Sequence, residues 1–211
     1  GWHRHSTDGK VRDFASGPDN GVSILTAAVR RVAGKIDIET TVVGHLNYMD
    51  SWVQKTSTTT FTAMDGLDHL EGKTVQIIGD GAVQPNQVVT AGAITLSTAV
   101  LNAVAGVDYL PTIQTLPQEG GAKTGSSAAH TKRYSSLVVG LLDSAAPLIN
   151  GERIPTRTPD TPMDTAQPNI TGQISQAELG WSEDAIITIT QDLPLPMQVL
   201  YIGGKISLEI L

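Results

Sequence analysis

Short apolar and β-branched runs alternate with polar positions along the chain, and turn-forming residues interrupt them about every ten residues, the spacing of short strands in a sandwich or barrel. In "GVSILTAAVRRVAGKIDIETTVV" the runs Val22–Val32 and Lys35–Val43 flank Ala33-Gly34, where glycine can supply the positive φ of a tight hairpin. Ile36, Ile38 and Thr40 alternate with Asp37 and Glu39, the period of a half-buried strand. "HLNYMDSWV" lacks such a period and is expected to be a loop, whereas the β-branched "TSTTTFTAM" predicts a strand. "DGLDHLEG" predicts turn, single helical turn, turn, with Leu67 and Leu70 plugging a core. "KTVQIIG" is then a strand, and Asp80-Gly81 a hairpin turn. "QVVTAGAITLS" predicts two short strands about Ala91-Gly92, and "VLNAVAGVDYLPTIQTLP" a strand ended by Pro111 and Pro117.

Beyond the glycine-rich connection 118–130, "TKRYSSLVVGLLDS" resumes the β pattern. Residues 151–169 are rich in proline and threonine without a hydrophobic period, and read as an ordered arm or surface loop, since proline is barred from central strands. "DAIITITQD" predicts a strand, and Gly203-Gly204 is expected to split "PLPMQVLYIGGKISLEIL" into a terminal hairpin. The fold class expected is all-β with little helix: turn-rich antiparallel sheets, a small barrel or sandwich module at 57–130 packed on a platform formed by 1–56 and 131–211.

Composition agrees with the pattern. Hydrophobic residues make up 40% and charged residues 17%, too apolar and too thinly charged for a disordered chain. The net charge of −7 argues against a basic groove for nucleic acid, although a wall that DNA slides past without sticking would also be acidic. Without cysteine there is no disulfide framework, thiolate nucleophile or Cys-based zinc site. No stretch reaches the roughly 18 apolar residues of a membrane helix, and no membrane partner is expected.

Candidate chemistry concentrates in "FTAMDGLDHLEGKTVQIIGDGAV", where Asp65, Asp68, His69, Glu71 and Asp80 offer hard oxygen ligands and an imidazole. Calcium-loop spacing and the His-Glu-x-x-His of a zinc protease are both missing, so Asp65 and Asp80 are read as turn residues, and Asp68 and Glu71 as caps of a short helical turn. His3 and His5, two apart and followed by Asp8, could share one face of a strand and hold a transition metal, but a third fixed ligand is not evident. There is no nucleophile elbow, and "GDGAV" lacks the lysine of a phosphate loop. The basic pairs Arg30-Arg31 and Lys132-Arg133 would point to opposite sides of a strand, as a solvated edge or a salt bridge. A glycan hydrolase would need two carboxylates across a cleft, with Asp65 and Glu71 the first pair to test. A carbohydrate-binding sandwich would need stacking aromatics, for which Trp2, Trp52 and Trp181 are the tryptophans available. No catalytic, cofactor-binding or metal-ligating residue is assigned.

One ordered series of motifs does point to a family. "MDGLDHLEGKTVQIIGDGAV", then "VVTAGAITL", then "VLNAVAGVDYLPTIQTLP" resembles the tail nozzle proteins (tail tubular protein B-like) of short-tailed bacteriophages. That family carries a Leu-x-His-Leu-Glu-Gly segment, a strand, an Asp-Gly turn and a Gly-x-x-Tyr near a Thr-Leu-Pro in this order. "GWHRHSTDGKVRDFA", "AAVRRVAGKIDIETTVV", "NYMDSWV" and "ITQDLPLPMQVLYIGGKI" resemble its flanking elements more loosely, and a Glu-Arg-Leu ahead of "NYMDSWV" is missing. The family protein is longer, so the resemblance implies that this chain, which opens without methionine, is its C-terminal part. It further implies a structural virion protein of the phage tail. Six copies would form a ring at the distal end, contact the adjacent tail tube or adaptor protein and possible tail fibres, and retain and pass viral DNA without binding it specifically. Strands such as "ITITQD" and "GKISLEI" would be edge-protected by ring neighbours, and the 151–169 arm would reach a neighbouring subunit or fibre. Baseplate or head-decoration proteins are the nearest alternative class.

Overall fold

The structure, a computed structural model, describes residues 7, 9–31, 35–40, 48–119, 126–128, 130–155, 157, 166–177 and 179–209. The described chain is almost wholly β, with one short 3-10 turn and four antiparallel sheets, none closed into a barrel. It divides into two compact units, Gly1–Tyr109 and Leu110–Leu211. This division differs from an inserted module bounded at 57 and 130, because one strand, Asp50–Met64, runs straight through the first of those boundaries.

In the first unit, β1 (Lys10–Asp19), β2 (Val22–Arg30) and β3 (Asp37–Thr40) form a meander in that order. The β1–β2 turn is Asn20-Gly21, with φ of 48° and 82°, so both central residues take the left-handed conformation that a two-residue hairpin needs. The expected pairing of β2 with β3 is present, while its turn at Ala33-Gly34 lies outside the described residues.

The second sheet of this unit has the order β4-β7-β5-β6, from β4 (Asp50–Met64), β5 (Thr74–Gly79), β6 (Ala82–Val88) and β7 (Ile94–Val107). "DSWV" thus belongs to a strand and not to a loop: Val53 and Gln54 pair with Ala105 and Val104 of β7. The Asp80-Gly81 hairpin and the tight turn at Ala91-Gly92 stand where the sequence places them. Met64, Leu67, Leu70, Val75, Ile77, Val89, Ile94, Leu96 and Val100 are buried together as the core of this sheet. Gly106 has to be glycine, since a Cβ there would lie 2.9 Å from the Asp50 carbonyl oxygen and from the Cβ atoms of Met49 and Trp52.

In the second unit, β8 (Thr112–Gln114), β9 (Lys132–Ser144), β10 (Leu148–Ile149), β11 (Glu152–Arg153), β12 (Ile170–Ala177), β13 (Thr188–Thr190) and β14 (Val199–Leu208) form two sheets, ordered β11-β10-β13-β8 and β12-β9-β14. Their shared core holds Tyr134, Leu137, Val139, Leu141, Ile149, Ile174, Ile187 and Ile189. Two expectations are corrected here. β13, the "ITIT" strand, is interior to its sheet and not an edge. β14 runs unbroken through Gly203-Gly204, pairing from Val199↔Leu141 to Leu208↔Lys132, so there is no terminal hairpin. The reason is packing: a Cβ on Gly204 would strike the Ser136 carbonyl oxygen and the Tyr134 ring, and neither glycine has positive φ. Of the proline-rich arm, 156 and 158–165 lie outside the described residues, so its expected reach falls there too.

Candidate functional site

The acidic stretch 65–80 folds on β-turn chemistry. Gly66 and Gly72, at φ of 85° and 73°, bracket a single 3-10 turn, Asp68–Leu70, whose leucine is fully buried beside Leu67. Full burial of a leucine side chain stabilises by about 1.5–3 kcal/mol, so this turn acts as a two-leucine plug.

Four polar side chains of the stretch, Asp65, His69, Glu71 and Asp80, have fixed partners. Lys55 Nζ donates to Asp65 Oδ1 at 2.9 Å and to the Ala63 carbonyl at 3.0 Å, and lies 5.2 Å above the Phe61 ring. The lysine's hydrogen bond holds the Asp65 carboxyl below the usual range. His69 Nε2 lies 3.1 Å from the Ser51 carbonyl oxygen. Glu71 does not cap its own turn: its carboxylate reaches across to accept from the backbone N–H groups of Ala91 (3.1 Å) and Gly92 (2.8 Å). The Asp68 carboxylate occupies the space that a Cβ on Gly92 would need. Asp80 accepts from the N–H groups of Leu101 and Asn102, the latter at 2.9 Å. These carboxylates fasten turns to neighbouring strands. Among the described residues, no three His, Asp or Glu side chains come together as a metal-ligand set. His3, His5, Asp8 and Trp2 lie outside the described residues.

The two basic pairs divide as strand geometry requires. Arg30 is exposed, while the Arg31 side chain is 1% exposed and paired with Glu39 and, at 3.4 Å, with Asp50; Thr7 accepts from it at 3.0 Å. Burial alone would ease the proton off Arg31, and the two carboxylates outweigh that and hold its pKa above the ordinary value. Lys132 is 2% exposed, with Nζ donating to the Gln118 carbonyl at 3.0 Å. Arg133 lies 4.8 Å over the Trp181 ring. The Arg31–Glu39–Asp50 cluster joins residues far apart in sequence, and the adjacent arginines were its one visible sign.

Trp181 also lines a shallow cleft of about 200 Å³ with Tyr134, Asn150, Leu179 and Ser182. Burial raises the Tyr134 hydroxyl pKa. Asn150 Oδ1 already accepts from Thr188 N–H and Ser182 Oγ from Ala185 N–H, so the polar rim of the cleft is largely engaged in holding its own backbone.

Asp65 and Glu71, the pair a glycan hydrolase would need, are thus committed to Lys55 and to the 91–92 turn. Neither a comparison with protein-family models nor a search of curated proteins finds a match for the chain.

Proposed function

We propose that this chain is a structural part of a short-tailed phage tail, in a nozzle whose copies form a ring around the DNA path, retaining the genome and passing it at ejection. The observation that carries this reading is the ordered motif series from Leu67 to Pro117. The members of its Leu-x-His-Leu-Glu segment support the fold: Leu67 and Leu70 plug the core, His69 faces the Ser51 carbonyl, and Glu71 locks the 91–92 turn. The all-β build and the net charge of −7 suit a rigid wall that phosphate does not stick to. No catalytic, cofactor or metal residue is part of the reading, and its partners are further copies of itself, the adjoining tail protein and DNA in transit.

The test is class averaging of the protein that carries this chain, with its mass measured in solution. Six-fold rings with a central hole are expected. A monodisperse monomer that stays so when the adjoining tail protein is added would overturn the reading. Trp181, 47% exposed at the cleft, favours a second reading, carbohydrate binding. Under it a glycan screen returns a ligand, and Trp181→Ala abolishes the binding.

A further inference from the structure

Three hairpins of the described chain turn on the same kind of dipeptide. Asn20-Gly21 joins β1 to β2, Asp80-Gly81 joins β5 to β6, and Asn150-Gly151 joins β10 to β11. All six residues have positive φ, as a two-residue turn requires. In two of the turns the first side chain is tied down. The Asp80 carboxylate accepts from the N–H groups of Leu101 and Asn102. Asn150 is held twice by β13: its Oδ1 accepts from the Thr188 N–H at 2.9 Å, and its own N–H donates to the Thr188 carbonyl at 2.8 Å. Its neighbour Ile149 is 1% exposed in the core of the second unit.

Asn20 is the exception. It is exposed, and its amide has no hydrogen-bond partner among the described residues. A Cβ placed on Gly21 would meet nothing within 4 Å, so the space around the next backbone nitrogen is open. The strands on either side offer little resistance to opening, because neither β1 nor β2 contributes a residue to a hydrophobic cluster.

That exception has a chemical consequence. The amide nitrogen after an asparagine can close a five-membered ring on the asparagine's Cγ, and glycine, without a side chain, crowds this attack least. Asn86, Asn102 and Asn169 are followed by Gln87, Ala103 and Ile170, which shield them. The ring does not form in the left-handed turn itself, so its rate follows how readily the turn opens. At Asn150 opening breaks both bonds to Thr188; at Asn20 it breaks no side-chain bond.

We propose that Asn20 is a site of spontaneous modification through a succinimide, and that β13 protects Asn150, the same dipeptide in the same kind of turn. The deprotonated Gly21 nitrogen bonds to Asn20 Cγ, the Cγ–Nδ2 bond breaks, and Nδ2 departs as ammonia. Water then opens the ring at either carbonyl, leaving aspartate or isoaspartate at position 20; nothing is oxidised or reduced. Both products add a negative charge to the hairpin tip. Isoaspartate also routes the main chain through Cβ and Cγ, one atom longer, so the Asp19↔Val22 pair beside the turn loses its register and the hairpin loosens. This inference is independent of the ring reading.

The experiment incubates the full chain at mildly alkaline pH in heavy-oxygen water, once folded and once in denaturant, and maps peptides by mass spectrometry. In denaturant the two Asn-Gly sites should react at similar rates. In the folded chain Asn150 should slow by about tenfold or more relative to Asn20, the factor that a hydrogen bond or two adds to local opening. Asn20→Ser should remove the labelled product at that position and leave Asn150 as it was. No labelled product at Asn20 in the folded chain, or equal slowing at the two sites, would overturn the proposal. The isoaspartate form, separated from the aspartate form, should exchange its β1 and β2 amide hydrogens faster than Asn20→Asp does. Equal exchange would overturn the loosening of the hairpin.

Discussion

Glu71 shows how a carboxylate can be indispensable without being catalytic. Its two oxygens accept from two consecutive N–H groups twenty residues away, at the turn where Ala91 and Gly92 both have positive φ. Glu71→Ala leaves both donors without it, at a cost of about 1–3 kcal/mol, visible as a lowered thermal midpoint. Gly92→Ala should cost at least as much, because the new Cβ meets Asp68 in a backbone conformation that L-residues resist. Asp65 offers a cleaner titration. Lys55 depresses its folded pKa, so this pair stabilises the protein above the unfolded carboxyl pKa of about 4, and the contribution is lost as pH falls through the folded value. Asp65 is fully exposed, so the effect on stability is small, and NMR titration is the sensitive readout. The carboxyl should titrate below the usual range, and Lys55→Met should return it upward. These side chains were legible as turn residues, since Asp-Gly and the Leu-x-x-Leu spacing announce themselves locally. Their partners were not, because Glu71 and Ala91, or Arg31 and Asp50, meet only once the sheet has formed.

At the scale of elements, alternation and Asp-Gly signals located β5, the Asp80-Gly81 hairpin, β9 and the single helical turn. Asn20-Gly21, the turn between β1 and β2, carries the same signal but is absent from the expected turns. The opposite error came at Gly203-Gly204, where a glycine pair suggested a turn. Glycine admits two explanations, positive φ or close approach, and a sequence does not say which applies. The structure separates them residue by residue. A Cβ on Gly203 meets nothing within 4 Å, so Gly203→Ala should change stability by less than about 0.5 kcal/mol. Gly204→Ala drives a Cβ into the Ser136 carbonyl oxygen and the Tyr134 ring, and should cost about 1–3 kcal/mol. Chemical denaturation of the two variants makes the comparison directly; equal effects would mean that β14 is not packed as described.

For the whole molecule, all-β character followed from composition and period, whereas the division at Tyr109 did not, since a continuous β4 hides no boundary and the joint falls inside a motif-rich run. The two hydrophobic clusters lie one in each unit, so heating should not produce a single two-state transition. Calorimetry is expected to give a total enthalpy larger than the van't Hoff value. Leu67→Ala, at about 2–5 kcal/mol, should lower the transition of the first unit, and Ile189→Ala that of the second.

The order β12-β9-β14 has a consequence for the ribosome. β9 is complete at Ser144, yet the partner for its second edge is not synthesised until residues 199–208. At about 5–20 residues per second, a nascent chain carries that thirteen-residue open edge for several seconds, long enough to pair with a neighbour on the same message. Expression that slows initiation, and so spaces the ribosomes, should therefore raise the soluble yield of this protein more than lowering its concentration after synthesis.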